Sequence, residues 1–420
     1  MRSTVNILVL GAGGREHALA ESFFRFGHNV FCHPGNPGML AFCHPLTDPQ
    51  IPLSDFSALA SAAHVKKIDL TVVGPELPLS LGIADYFMKE SLPLFGPTKI
   101  ATQLQNSRVW SKQFMLSHQI PSAQFFICKD AASAREAAQL LFVSGKKAAI
   151  KLSDKSVVFC GSAEEVNHAI AESDKEIIVE ERLEGVEVSL PALSDGQQMV
   201  PLLPVYDHKH LNNGGLGPNT GGVGAVAPAA FVTKPMLLEI ERSIIEPTLK
   251  GLQAEGIDYR GMLYFGLILT KDGPKVLEYN CRFGDPETQA ILPLLDCDPV
   301  ELMLACLAGK LDRKDVRFNA LSSCCVILSS NGYPDSFQTG FEIEGLEKLL
   351  DSKNLHIFHA GTALDAKGKL ITSGGRVLGL TGIGATLQEA IDTAYLGIEQ
   401  VRFQGAHYRT DIGDVEKSLI

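Results

Sequence analysis

The sequence predicts an α/β multidomain protein that opens with a doubly wound parallel sheet. Three observations carry this. The chain has 420 residues, which at about 150 residues per domain means two to four domains. Its first hundred residues alternate short β-rich runs with helical patterns, each run closed by turn residues, glycine with or without proline. From about Ala101 the texture changes to a small α/β lobe, a larger lobe and a final region. With 45% apolar and 20% charged residues, the composition is that of a globular enzyme or binding protein and excludes collagen, coiled coil and wholesale disorder.

The elements follow in order. Val5 to Leu10 is a strand ending at Gly11-Ala-Gly-Gly14, and a helix through Ala18, Leu19 and Phe23 follows. Asn29 to Cys32 is closed by Pro34-Gly-Asn-Pro-Gly38, Ile68 to Val73 by Gly74-Pro75-Glu76, and Leu92 to Phe95 by Gly96-Pro97. In such sheets ligands sit at the carboxyl ends of strands, where all four turns lie. Beyond Ala101, helices are expected at Arg108 to His118, Ala131 to Phe142 and Glu164 to Ala171. Strands are expected at Ser122 to Cys128, Lys147 to Leu152, Val157 to Cys160 and Ile177 to Glu180. A glycine-rich loop from Asn212 to Gly224 precedes a long helix from about Lys234 to Glu255. Met262 to Leu269 and Lys275 to Tyr279 then pair across the turn Lys271-Asp-Gly-Pro, and Ser323 to Leu328 begins the last region. The expected domains are 1–101, 102–321 with a small lobe at about 122–188, and 322–420.

The net charge of −11 argues against broad nucleic-acid binding, which needs a basic footprint. No apolar run nears the ~18 to 20 residues of a spanning helix, and no signal segment is evident, so a cytoplasmic protein is expected. Nine cysteines without C-x-x-C read as reduced thiols, with Cys324 and Cys325 in the core.

Four constellations bear on chemistry. Gly11 to His17 is a glycine turn between strand and helix, where backbone N–H groups and the helix dipole favour an anion. A dinucleotide site wants Gly or Ala where Glu16 stands, and an acidic residue after the second strand, which reads Phe31-Cys-His-Pro. An NAD site is therefore disfavoured. The turn serves either a phosphate or sugar phosphate, helped by Arg15, or packing alone. In Glu278-Tyr-Asn280-Cys-Arg282, Glu278 and Asn280 share one strand face, and Arg282 joins them if the strand continues. A carboxylate and an amide oxygen there suit Mg²⁺ carrying nucleotide phosphates, and Arg282 suits a carboxylate or phosphate. Asp207-His-Lys209 and the loop through Asn219-Thr220-Gly221-Gly222 fit a close backbone approach to a small ligand. Lys151, Glu180, Glu181 and Glu187 sit at or beyond strand ends. They can meet nucleotide phosphates and a ribose, although each taken singly is also an ordinary solvated charge.

Read together, these segments resemble the phosphoribosylamine–glycine ligases (glycinamide ribonucleotide synthetases) of the ATP-grasp superfamily. The likeness rests on Gly11 to His17, Pro34 to Gly38, Gly74 to Glu76, Asp207 to Lys209, Gly217 to Gly222, Glu278 to Glu287, Phe358 to Thr362 and Ser373 to Val377. It implies a central ATP-grasp fold of two α+β lobes and a small carboxyl-terminal α/β domain. It implies the reaction ATP + 5-phosphoribosylamine + glycine → ADP + phosphate + glycinamide ribonucleotide, through glycyl phosphate, in purine biosynthesis. Glu278 and Asn280 would then hold Mg²⁺ or Mn²⁺. Arg282, Asp207 and Lys209, with Asn219, Thr220, Gly221 and Gly222, would hold glycine and the acyl phosphate. Gly13, Gly14, Asn36 and Glu76 would meet the phosphoribosyl group, with Asp285 and Glu287 near its amine. Arg108, Lys151, Glu180, Glu181, Leu183 and Glu187 would serve the nucleotide. The family leans to monomers or homodimers, with small-molecule substrates as the only partners and neither nucleic acid nor membrane.

The departures from the family cluster in the nucleotide lobe. Lys151 is followed by Leu152-Ser-Asp-Lys-Ser156 where the family runs Ala-Asp-Gly-Leu-Ala-Ala-Gly-Lys-Gly. Glu172-Ser-Asp-Lys175 replaces a long loop containing Phe-Gly. Ser107-Arg108 stands for Ser-Lys, Glu180-Glu-Arg182-Leu183 for Glu-Glu-Phe-Leu, and Gly185-Val186-Glu187 for Gly-Glu-Glu. A clipped lid predicts weaker ATP binding, slower turnover or a different nucleotide geometry. Two hypotheses follow: a working ligase with a trimmed lid, or a non-catalytic ATP-grasp relative acting as a binding protein. The intact metal and glycine motifs favour the first.

Overall fold

The computed structural model describes residues 4–47, 51–152, 157–170 and 177–414. The first sheet is wholly parallel, in the order His44–Pro45, Asn29–Pro34, Asn6–Gly11, Leu70–Val73, Leu94–Phe95. Alternation along the central strand sends Ile7 and Val9 into one core with Phe23, and Leu8 and Leu10 into another with Leu59 and Phe87. Both faces are therefore covered, as a parallel sheet requires. The strand order reverses beside Asn6–Gly11. The turns after Gly11 and Val73 thus flank the switch point, where a crevice opens. The two-residue strand His44–Pro45 is additional to the expected four.

The small lobe is an antiparallel sheet ordered Phe125–Cys128, Ile177–Glu181, Ala148–Lys151, Val157–Cys160. Helices Ala131–Val143 and Ala163–Ala169 are N-capped by Asp130 and Ser162. Cys128, Ala148, Ile150, Cys160, Ile177 and Val179 form the core of this lobe. The alternate residues Lys151, Phe159, Glu180 and Phe125 fall on the opposite face by register. Ser122 does not extend its strand but bridges to Val276. The loops at 153–156 and 172–175, on which the clipped-lid expectation rests, lie outside the described residues, as does the expected helix end at Ala171.

The larger lobe is built on Met199–Pro201, Val186–Asp195, Arg260–Thr270 and Gly273–Asn280. Val186–Asp195 is a strand the sequence reading did not anticipate, and it contains Pro191. A proline has no N–H for the ladder, but its carbonyl accepts from Leu202 N at 2.8 Å. The expected long helix runs as Lys234–Ile240 and Glu246–Ala254 through a π turn at Glu241–Ile245. Pro247 explains it: the ring cannot donate to residue 243 and clashes there, so the ladder widens.

The last sheet is ordered Tyr206–Asp207, Gly224–Ala227, Ser322–Ser330, Arg376–Gly384, Leu355–His359, and Leu387–Ile398 packs on it. It straddles the expected junction at 321–322, since two of its strands come from the central stretch. All nine cysteines are free and buried, Cys324 and Cys325 completely. No helix among the described residues is long and apolar enough to cross a membrane.

A buried pair ties the first sheet to the centre: His28 Nε2 lies 3.0 Å from Asp298 Oδ2. The same aspartate caps Pro299–Ala308 by accepting from Val300 N at 2.9 Å. Asp298→Ala removes the cap and strips His28 of a buried partner. We expect a loss of about 2 to 4 kcal/mol, measured by chemical denaturation.

Candidate active site

The crevice is floored by the glycine turn. Glu16, in the first turn of Gly14–Arg25, folds back so that Gly13 N donates to Oε2 at 2.6 Å, while Arg15 Nε donates to Oε1 at 2.6 Å. A Cβ on Gly74 would come within 1.7 Å of Glu16 Oε1. Glu16 thus fills the space between the two turns that a small third residue would leave open. Asn36 is buried, and its side chain is fully used: Nδ2 donates to Ala12 O at 2.9 Å and His359 O at 2.8 Å, and Oδ1 accepts from Met39 N at 3.0 Å. It staples the first turn to the carboxyl-terminal sheet. Glu76 accepts from Gln105 Nε2, and Arg282 Nε stands 3.9 Å from it. Arg282 and Arg15 both donate to Phe283 O, at 2.8 and 3.3 Å. Two guanidinium groups on one carbonyl repel one another, and an anion placed between them relieves the repulsion.

Glu278 and Asn280 end the strand Gly273–Asn280 on one face, with Asn280 Nδ2 3.4 Å from Glu278 Oε1. The Glu278 carboxylate is open to water yet walled by protein. That enclosure pushes its pKa up, but Lys209, then Lys151 and the Asn280 amide, outweigh it and hold the group below its ordinary value. Lys209 loses by burial and gains more from Glu278, Glu187 and Asp207, so its pKa is raised; its ammonium is 3.2 Å from Glu187. Asp207 shows the reverse balance. Burial, then Glu287, hold its carboxyl well above the usual range, and its Oδ1 is buried without a hydrogen-bond partner. Glu287 accepts from the Tyr264 hydroxyl, which also meets Ser189 Oγ.

The glycine loop is set by its neighbours. Thr220 N and Oγ1 donate to Lys209 O at 2.8 and 2.7 Å, and Gly222 N donates to Thr220 Oγ1 at 3.0 Å. Gly222 has φ +101°, and a Cβ there would lie 2.5 Å from Pro286 Cδ and 2.8 Å from Asp207 Oδ1. Only glycine fits both the conformation and the space. Asn219 is exposed at the end of Leu216–Asn219.

In the small lobe, Glu180 is buried between two ammonium groups, Lys151 at 3.0 Å and Lys112 at 3.2 Å. Desolvation, opposed by Glu180, brings the Lys112 pKa down to about 8. Arg108 Nη1 donates to Leu152 O at 3.0 Å, Glu181 pairs with Lys146 at 3.0 Å, and Leu183 is half-buried past the strand end.

The structure thus brings Asp207, Lys209, Glu278, Arg282, Asp285 and Glu287 around one cleft, with Lys151 reaching it from the small lobe. Gly13 and Gly14 lie at the glycine turn beside it, where the Gly13 N–H is already taken. Glu180 and Asn36 are engaged with other protein groups. Sequence reading missed Lys112, Gln105, Tyr264, Gln289 and Arg376. Lys112 had a signal, since it stands one helical turn after Arg108 and so shares its face. Glu180→Gln leaves Lys112 buried beside a neutral partner, a costly arrangement. We expect faster amide hydrogen exchange in strands Ala148–Lys151 and Ile177–Glu181; unchanged protection would show that Glu180 is not the hub of the lobe.

Comparison with known proteins places this geometry. Models of phosphoribosylglycinamide synthetase match most of the chain: the N domain at residues 5–105, the ATP-grasp (A) domain at 106–288 and the C domain at 323–415. A phosphoribosylamine–glycine ligase of Synechocystis sp. is 40% identical over 97% of this chain and 99% of its own. A crystal structure of phosphoribosylamine–glycine ligase from Thermotoga maritima superposes with a TM-score of 0.79 at 32% identity, covering 97% of this chain and 100% of that one. The biotin carboxylase domain of Hydrogenobacter thermophilus 2-oxoglutarate carboxylase, solved with MgADP, ADP and bicarbonate, superposes at 0.71 over 100% of this chain and 99% of that one. At 16% identity it shows the fold alone. The chain belongs to the phosphoribosylglycinamide synthetase family.

Proposed function

We propose that the protein joins glycine to 5-phosphoribosylamine in purine biosynthesis, cleaving ATP to ADP and phosphate and releasing glycinamide ribonucleotide. The observation that carries this reading is the convergence of Lys209, Lys151 and Asn280 on the Glu278 carboxylate. A carboxylate is a poor electrophile. Its oxygen must first take the γ-phosphoryl group, and the acyl phosphate so formed can then yield to an amine. Such transfer is mostly positioning and neutralisation of charge.

A divalent ion fits the residues present. Glu278 is held ionised, Asn280 adds an amide oxygen, and among the described residues no group of three His, Cys, Asp or Glu could hold a metal. Two protein oxygens, completed by phosphates and water, suit Mg²⁺ or Mn²⁺ better than an all-protein cage. When bound, the ion would neutralise and orient the phosphates.

The chain's own groups do the rest. Lys151, held on the open face of the small lobe by Glu180, meets the phosphates. Arg108, Glu181, Leu183 and Glu187 border the nucleotide. Lys209 and Arg282 draw the glycine carboxylate and then the acyl phosphate, and Asn219 to Gly222 close over it with Asp207 beneath. Gly13, Gly14, Asn36 and Glu76 shape the sugar-phosphate side through the turns at the switch point. Asp285 and Glu287 face the amine as hydrogen-bond acceptors. Residues 1–101 thus serve the sugar phosphate, 102–321 the nucleotide and glycine, and 322–420 close the cleft. The binding-protein alternative rests chiefly on the shortened loops, which lie outside the described residues.

The purified protein should form ADP and amide together, dependent on both glycine and phosphoribosylamine; no ATP binding at millimolar concentration would sink the ligase. Glu278→Gln should lower turnover by about 100-fold or more with little change in the thermal melt, and surviving activity would refute the metal assignment. Lys151→Ala should raise the KM for ATP more than that for glycine; equal effects would remove Lys151 from the phosphates.

A further inference from the structure

Arg376 opens Arg376–Gly384, an interior strand of the carboxyl-terminal sheet. Leu328 pairs with Leu378 but Ser329 pairs with Arg376, so Val377 is the extra residue of a bulge. Bulges re-aim side chains at sheet margins, and this one lets the guanidinium leave the sheet for the cleft. Nη1 donates to Gly221 O and Asp285 O, each at 2.8 Å, and to Gly222 O at 3.3 Å; Nη2 lies 3.1 Å from Asp285 Oδ2. The Tyr333 hydroxyl accepts from Gly221 N at 3.1 Å. Gly221 is therefore gripped at its N–H and at its carbonyl by two side chains of the same domain.

Asp285 is fixed in the same way. Its second oxygen accepts from Gln289 Nε2 at 2.7 Å, and its first lies 3.6 Å from where a Cβ on Gly13 would stand. Arg376 thus touches the glycine loop on one side and the acid beside the sugar turn on the other.

Resting on the function proposed above, loop 219–222 belongs to the acyl half of the reaction and Asp285 to the amine half. We propose that Arg376 is a positioning residue that fixes the distance between the acyl phosphate and the attacking amine, acting through Gly221 and Asp285. The amine nitrogen must come within about 3 to 3.5 Å of the acyl carbon, and a misplacement near 1 Å costs about 100-fold. When the amine is misplaced, water takes the acyl carbon instead. The products are then glycine and phosphate, with ADP already formed and no amide.

The test is Arg376→Gln, with ADP and amide product counted separately. Amide formed per ADP should fall well below that of the wild type. The kcat/KM for phosphoribosylamine should drop by about 100-fold and the KM for ATP should stay within about twofold. A merely structural role would lower every parameter together and keep the coupling; that result overturns the proposal. Hydrogen exchange of residues 217–222 reads the grip without turnover: it should quicken in the variant, and unchanged exchange also overturns the proposal. If Arg376→Gln does not fold, Tyr333→Phe, which removes one hydroxyl, should show partial uncoupling and faster loop exchange; full coupling with unchanged exchange counts against the proposal. A wild type that makes no amide sinks the proposed function, while the exchange measurement still decides whether Arg376 holds the loop.

Discussion

The constraint on which the site depends is electrostatic. Carboxylates and cations crowd the stretch from Glu278 to Glu287, and they must stay charged in a walled cleft without collapsing onto one another. Burial alone would neutralise them. The chain answers by distributing counter-charge from distant segments. Lys209 and Lys151 act on Glu278, and Arg376 acts on Asp285. Asp207, whose nearest strong influence after desolvation is Glu287, is left with its pKa well raised.

The fold serves this distribution. The parallel sheet delivers two turns at its switch point, one on either side of the crevice. The small lobe delivers Lys151 on a strand whose neighbours present Glu180 behind it. The carboxyl-terminal sheet delivers Arg376 through a bulge. Ion pairs at the edge of a cleft are individually weak, but here each is shared. Glu180 serves two lysines, and Arg376 serves three carbonyls and a carboxylate.

Much of this was legible in the sequence, for physical reasons. Strand ends with glycine turns are local patterns, so the first sheet and its crevice could be read directly. Glu278 and Asn280 were legible as a pair because alternate residues of a strand share a face, whereas the strand ends at Asn280, so Arg282 to Glu287 are set by the turn and helix that follow. What escaped was non-local. Nothing in Val186–Asp195 announces a central strand when Pro191 interrupts it. Arg376 stands 91 residues from Asp285 in the chain, and no spacing rule connects them. Lys112 pairs with Glu180 across 68 positions of the chain, and only the fold brings the two together. The internal hydrogen bonds of Asn36 to Ala12, Met39 and His359 were not legible either, since two of the three span distant segments.

The mixed parentage of the last sheet has a practical consequence. Ser323 to Val326 take their hydrogen bonds on one side from Gly224–Ala227, a segment almost a hundred positions earlier. A fragment cut at residue 322 would expose that row of amides and carbonyls as a bare edge, flanked by fully apolar side chains such as Val326 and Leu328. Such an edge templates pairing with other copies. Expressed apart from the rest, the final region would aggregate, and any dissection of this protein must carry the glycine loop's flanking strand along with it.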